Sequence, residues 1–427
     1  MNEPVTKPTA NGLLFQWEEF RVELAIERIR TTQFGPRGQL KVRSLSPAKD
    51  NHKPPFISFM SLGSPDDRRT TARRLAGITK DINLNQWLEV LDRACSETIA
   101  TFQKGNPLVD LSQVDYRLDI PYLMEKLLPE GEVTILFGDG DSCKSWVGLA
   151  VELALLTGLP LPSRLIPAVR PGGALLLDYE TGAETHARRL SYLARGLNLA
   201  LTPTLYYREC EGALINQVDD ILDLIQEKEK QDNVPIKIIV VDSIGPAAGG
   251  SLKNDDVAIP LMSGLRAFGR TVLGIAHVTN EVAKKEDGAG EIFGSAFFRY
   301  QARNTWEIRS DRDDNPRLAL YQRKTNCRRY REPVGLRLYF DDAKHEAHFD
   351  EFNVPDSPKL MKYAKPISRL HAALADGAKT TSELAAMLGM SGQQVVVECG
   401  RLTDEIVRLE GGKGRGNEIS WGLKAFD

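Results

Sequence analysis

The chain has 427 residues, 42% hydrophobic and 26% charged, with a net charge of −3; this is ordinary globular material for two or three domains, and the charge leaves the choice of partner to local distribution. The opening MNEPVTKPTANG is polar and the longest apolar runs, such as IKIIVV, are too short to cross a bilayer, so the expectation is a cytoplasmic protein with no membrane contact. Five cysteines (Cys95, Cys143, Cys210, Cys327, Cys399) lack C-x-x-C spacing and an even count, which suggests free thiols rather than disulfides or a zinc site.

Residues 1–105 are expected to form an N-terminal α+β domain. RVELAIERIR (21–30) and GQLKVRSLS (38–46) alternate as strands around the turn FGPRG, and PFISFMSL supplies a third. Two helices follow, DDRRTTARRLAGITKDI and NQWLEVLDRACSETIATFQKG, with apolar residues three and four apart. Arg68, Arg69, Arg73 and Arg74 fit either a solvated helix face or a nucleic-acid contact. Residues 106–130, with spaced prolines and mixed polarity, are expected to be a linker.

Between 131 and 350 strands and helices alternate. VTILFG, GGALLLDYE, IKIIVVDSIG and TVLGIAHVT are apolar strands separated by helices such as KSWVGLAVELALLTG and AETHARRLSYLARGLN. This pattern predicts an α/β core with a mostly parallel sheet buried on both faces. Residues 361–427 read as three helices followed by a glycine-turned hairpin, IVRLEGGKGRGNEISWGL, the order of a winged helix-turn-helix. Nine Lys/Arg against eight Asp/Glu there leave DNA contact and protein docking both open, with Lys413 and Arg415 at the wing tip as the most DNA-like residues.

The stretch LFGDGDSCKSWVG nearly matches the phosphate-loop pattern G-x-x-x-x-G-K-[ST]. Gly138, Asp139, Gly140, Asp141, Ser142, Cys143, Lys144 and Ser145 form the candidate cradle, with Cys143 in place of the second glycine. A strand before the loop and a helix after it would let backbone N–H groups and the helix dipole receive phosphate. Lys144 can then reach the β/γ-phosphates of ATP, and Ser145 can ligate Mg²⁺. Polar residues close the later strands. Asp242 is placed to hold the metal, Glu180 to polarise the attacking water, and His277 to sense the γ-phosphate.

With these motifs in this order over about residues 118–340, joined by FGSAFFRYQARNTWEIRS, the chain resembles the RecA-like ATPases, most closely their RepA/DnaB-type branch of phages and plasmids. The resemblance implies a hexameric ring with ATP at subunit junctions and nucleic acid in the central channel. It carries the glutamate role to Glu180 and the metal role to Ser145 and Asp242. It also places Arg309 as an arginine finger reaching a neighbour's γ-phosphate, with Arg323 and Lys324 on the next strand; surface arginines are the plainer alternative. The block 296–340 holds eleven Lys/Arg against five Asp/Glu. Two glycine-rich loops, GPAAGGSLKNDD and NEVAKKEDGAGEIFGS, bring Lys253, Lys284 and Lys285 to a channel or to plain surface. The expected function is an ATP-driven, ring-forming DNA motor assisting replication of a mobile element. A DNA-binding ATP switch, such as a recombination mediator or helicase loader, and a non-hydrolysing regulator remain the alternatives.

Overall fold

The computed structural model describes residues 2–9, 12–32, 35–44, 55–79, 81–105, 110–114, 121–165, 167, 172–200, 204–278, 294–327, 330, 332–409 and 419–424. Their contacts divide the chain into two units, residues 1–116 and 117–427.

In the first unit, alternation of apolar and polar residues builds a five-stranded antiparallel sheet in sequence order: β1 (Val5–Thr9), β2 (Gly12–Trp17), β3 (Val22–Thr32), β4 (Gly35–Ser44) and β5 (Phe56–Ser61). Leu13, Phe15 and Trp17 of β2 point inward at the strand period of two and join one apolar cluster with Trp87 and Leu91. The helices are α1 (Pro65–Ile78), capped by Ser64 ahead of Pro65, and α2 (Leu84–Lys104), opened by a capping box of Asn83 and Gln86. Strand β1 was not anticipated, because Pro8 and the polar TKPT mask its alternation; β2 was also not anticipated, although GLLFQW alternates. Arg68 bonds Asp92 at 2.5 Å and Arg74 lies over the Phe56 ring at 5.2 Å, so both serve packing within this unit.

The second unit opens with a short hairpin, β6 (Tyr122–Met124) and β7 (Leu128–Pro129). Leu123, Met124, Leu127 and Leu128 are buried in the same cluster as the central sheet. The later part of the expected linker is therefore core, since YLMEKLLP is too apolar to stay in water. Among the described residues the sheet has nine strands. In chain order they and their helices are β8 (Val133–Gly138), α3 (Lys144–Thr157), β9 (Gly173–Asp178), α4 (Ala183–Gly196), β10 (Leu205–Glu209), α5 (Val218–Asp232), β11 (Ile236–Asp242), α6 (Ile244–Ala247), α7 (Asp255–Ala267), β12 (Thr271–His277), α8 (Ala296–Gln301), β13 (Asn304–Ser310), β14 (Arg317–Lys324), β15 (Val334–Asp341) and β16 (Glu346–Glu351). The spatial order is β10-β9-β11-β12-β8-β13-β14-β15-β16, parallel from β10 to β13 and antiparallel beyond.

Each central strand is apolar on both sides, as the continuous runs predict. Leu136, Leu176 and Val240 pack under α3 and α4, whereas Ile135, Phe137, Leu177 and Val241 pack under α5 and α7. This is an α/β architecture with a large, mostly parallel sheet. β8 lies at its centre, so the residues that end β8, β12, β11 and β9 converge at one edge, where ligands of open α/β sheets bind.

Beyond β16 come α9 (Pro358–Met361), α10 (Pro366–Leu374), β17 (Lys379–Thr380), α11 (Thr381–Leu388), α12 (Gly392–Gly400), β18 (Ile406–Leu409) and β19 (Ser420–Leu423). The three strands pair antiparallel in the order β17-β19-β18, over an apolar cluster that includes Leu370, Leu384, Val395 and Trp421.

Candidate functional site

Between β8 and α3 the chain folds back on itself in five residues, 139–143. A Cβ on Gly138 would lie 2.4 Å from the Ile308 carbonyl oxygen, so only glycine lets β13 approach this closely. Asp141 and Cys143 both have φ of 60°, and left-handed residues of this kind build the anion-binding concavities called nests. Lys144 is buried. Its Nζ donates to Gly138 O (3.1 Å), Asp139 O (2.5 Å) and Ser142 Oγ (3.2 Å). Burial lowers its pKa, against the pull of the Asp242, Asp139 and Glu180 carboxylates.

The strand ends beside the loop supply the remaining chemistry. Asp242, last in β11, is buried; burial raises its pKa above the usual carboxylate value, although the nearby Ser145 hydroxyl pulls it down. Its Oδ2 has no partner among the described residues. A buried carboxylate with a spare oxygen beside a serine hydroxyl fits Mg²⁺, which takes one or two protein oxygens and completes its shell with phosphate and water. His277, last in β12, lies with Nε2 3.7 Å from Glu180 Oε1. That proximity, helped by the Lys144 charge, holds Glu180 below its ordinary pKa despite partial burial, so it is ionised at neutral pH. The loop, Glu180, Asp242 and His277 line one cleft of about 380 Å³. A larger cavity, about 900 Å³, lies between β15, β16 and α10 and contains none of them.

Asp178, which sequence reasoning passed over, sets the position of Glu180. Its carboxylate accepts the backbone N–H groups of Glu180 (3.0 Å), Thr181 (3.1 Å) and Gly182 (2.6 Å) and the Tyr207 hydroxyl (2.9 Å), with His186 Nε2 at 3.4 Å. Burial alone would raise its pKa, but these donors hold it below the usual range. The acid in LLDYE two residues before Glu180 was the available signal. Arg189 was also missed. It lines the cleft, its guanidinium 5.9 Å from the centre of the Trp146 ring.

Glu152, inside α3, is fully buried, and both its oxygens lack partners among the described residues. Burial, reinforced by Asp242, raises its pKa well above the usual 4.5. The folded chain thus keeps a proton that the unfolded chain loses. Relative to Glu152→Gln, its contribution is fully present below about pH 4.5 and declines as pH rises toward the raised value, by about 1.4 kcal/mol per pH unit. Urea melts of both proteins from pH 5 to 7 check this; a constant difference would show that Glu152 does not titrate as inferred.

Cys143 takes a left-handed conformation that glycine adopts freely. Cys143→Gly is expected to add about 1 kcal/mol of stability while ATP binding is kept or improved, as denaturant melts and nucleotide titration would show. Its thiol is not a ready redox handle: burial pushes its pKa up to about 11, although Lys144 and Arg189 pull it down.

Each of the three cations expected to act in trans has partners within the chain. Arg309 is buried and tied within its own chain to Glu307 Oε1 (2.5 Å) and Asp139 Oδ2 (3.1 Å). Arg323 bonds Glu307 (2.6 Å) and the Tyr363 carbonyl (2.8 Å). Lys324 donates to the carbonyls of Arg299 and Tyr300. It pairs with Thr305, which pairs with Ile135 rather than with Gly138, so it lies toward the opposite end of the sheet from its own phosphate loop. The antiparallel turn from β13 to β14 causes this. Lys253 is exposed in the turn before α7. Lys284, Lys285, Lys413 and Arg415 lie outside the described residues.

Residues 110–283 match the family model described as AAA domain, which supports a P-loop ATPase family for this part of the chain. The matched region contains the loop, Glu180, Asp242 and His277, and ends before Arg309. No curated protein matches the chain.

Proposed function

We propose that the chain is an ATP-hydrolysing, ring-forming DNA motor with a RecA-like core, of the RepA/DnaB helicase type. The observation that carries the reading is the convergence of Lys144, Ser145, Glu180, Asp242 and His277 on one cleft at the ends of adjacent parallel strands. The loop N–H groups and Lys144 would bind the phosphates of ATP, and Ser145 and Asp242 would hold Mg²⁺. When bound, Mg²⁺ neutralises charge on the phosphate oxygens. Ionised Glu180 accepts a proton from the attacking water, and the turn anchored on Asp178 keeps it aimed into the cleft. His277, beside Glu180 and exposed to the cleft, is the sensor of the terminal phosphate.

Helices α10–α12 with β17–β19 are read as a winged helix. Its third helix, GQQVVVECG, contains no Lys or Arg and leaves Val396 and Val397 exposed. That favours docking of a replication or recombination protein over reading of a DNA groove. Among the described residues no helix is long and apolar enough to cross a membrane.

ATPase assays with and without single-stranded DNA, together with strand displacement from a forked duplex, test the reading. Hydrolysis stimulated by DNA with ATP-dependent displacement is expected. Stimulation without displacement would favour the DNA-bound switch; no hydrolysis would leave a nucleotide-binding regulator.

A further inference from the structure

We infer that Arg309 is a positioning residue for the phosphate loop of its own chain, acting on Asp139. The inference rests on the nucleotide reading proposed above and deepens it. The guanidinium is held from three directions. Glu307, two residues back on the same face of β13, binds Nε at 2.5 Å; the Tyr363 ring lies 4.5 Å beneath it; and Asp139 binds Nη1 at 3.1 Å. Glu307 is itself completely buried and bound to Arg323 at 2.6 Å. A cation offered to another subunit would have to abandon these contacts together and leave a buried carboxylate short of charge, which is costly in a dry site.

Asp139 is the node through which Arg309 acts. Its carbonyl accepts both Lys144 Nζ (2.5 Å) and Ser142 Oγ (2.8 Å), so fixing this residue fixes where the phosphate-binding lysine rests. Its carboxylate, placed beside a site for polyphosphate, would repel the ligand if left unpaired. Arg309 neutralises it, and exposed Arg312 adds a weaker contact at 3.8 Å. One donor and one acceptor of the pair, Arg309 Nη2 and Asp139 Oδ1, are buried without partners among the described residues. They leave one donor and one acceptor free for a second, parallel hydrogen bond within the pair.

The test is a double-variant cycle read as ATP affinity and turnover separately. Arg309→Ala is expected to weaken ATP binding about tenfold, with a smaller fall in kcat, because it exposes the Asp139 charge. Adding Asp139→Asn should remove that repulsion, so that the double variant binds ATP as Asp139→Asn does alone. Mixing Arg309→Ala with Lys144→Ala subunits should give no turnover beyond the sum of the two. The inference is overturned if Arg309→Ala loses kcat at unchanged affinity, if Asp139→Asn fails to rescue it, or if mixed subunits regain activity. Should Arg309→Ala melt without nucleotide, Arg309→Lys and Asp139→Asn decide. Retained affinity in the first, and retained affinity without faster turnover in the second, support the inference, whereas faster turnover in Asp139→Asn would show that breaking the pair frees Arg309 for a neighbour. Failure of the wild type to bind ATP would instead refute the proposed function.

Discussion

Replacing Glu180 with glutamine is expected to cut ATP hydrolysis by roughly 10²–10⁴-fold while ATP and Mg²⁺ still bind. The side chain keeps its size and can still meet His277, and the Asp178 turn that carries it is made by backbone N–H groups and does not depend on residue 180's side chain. What disappears is the proton acceptor. Glutamine cannot take a proton from water, whereas the carboxylate, lowered in pKa by His277, is ionised throughout the neutral range. Single-turnover hydrolysis alongside fluorescent-nucleotide titration separates the two quantities. Equal hydrolysis by both proteins would remove Glu180 from this role and leave His277 or a water chain to perform it.

Lys144→Ala should have the largest effect on affinity. A charge-assisted hydrogen bond contributes about 1.5–3 kcal/mol, so loss of the ammonium should weaken ATP binding roughly ten- to hundredfold. In the structure this ammonium donates to Gly138 O, Asp139 O and Ser142 Oγ. Phosphate would compete for a cation already desolvated, which strengthens the exchange. Calorimetric titration with ATP measures it, and a thermal melt without nucleotide is the control. Unchanged affinity in a stably folded variant would mean that the loop does not bind phosphate through Lys144; a melt lowered by many degrees would assign the loss to unfolding.

Much of this site was legible because a buried strand that ends in a charged residue leaves a sharp mark. GGALLLDYE, IKIIVVDSIG and TVLGIAHVT carry apolar runs that stop at a polar group, so Glu180, Asp242 and His277 stood out, and the parallel sheet brings these strand ends to one edge. Asp178 did not stand out, because its partners are backbone N–H groups that exist only once the turn has formed. Arg309 was legible as a cation near the loop 139–143 but not in its partner. The choice between its own Asp139 and a neighbour's ATP depends on how β13 lies against β8 and on where Tyr363 returns, which local spacing does not encode. Glu307, two residues away on the same side of the strand, was the one local hint. Among the elements, β10 went unseen because LYYRE lacks a long apolar run, and residues 122–129 were misread because a short hairpin resembles a connector.

The position of β8 has a consequence for the order in which the molecule assembles. β13 to β16 form successive hairpins whose partners are close along the chain, so that half of the sheet can organise from local encounters. β8, at Val133–Gly138, must wait for β12, at Thr271–His277, and β13, at Asn304–Ser310, to arrive from distant parts of the sequence. The phosphate cradle therefore exists only after the slowest loop closures are complete. A nucleotide that recognises it cannot guide the early chain; it can only trap the finished sheet and slow its reopening.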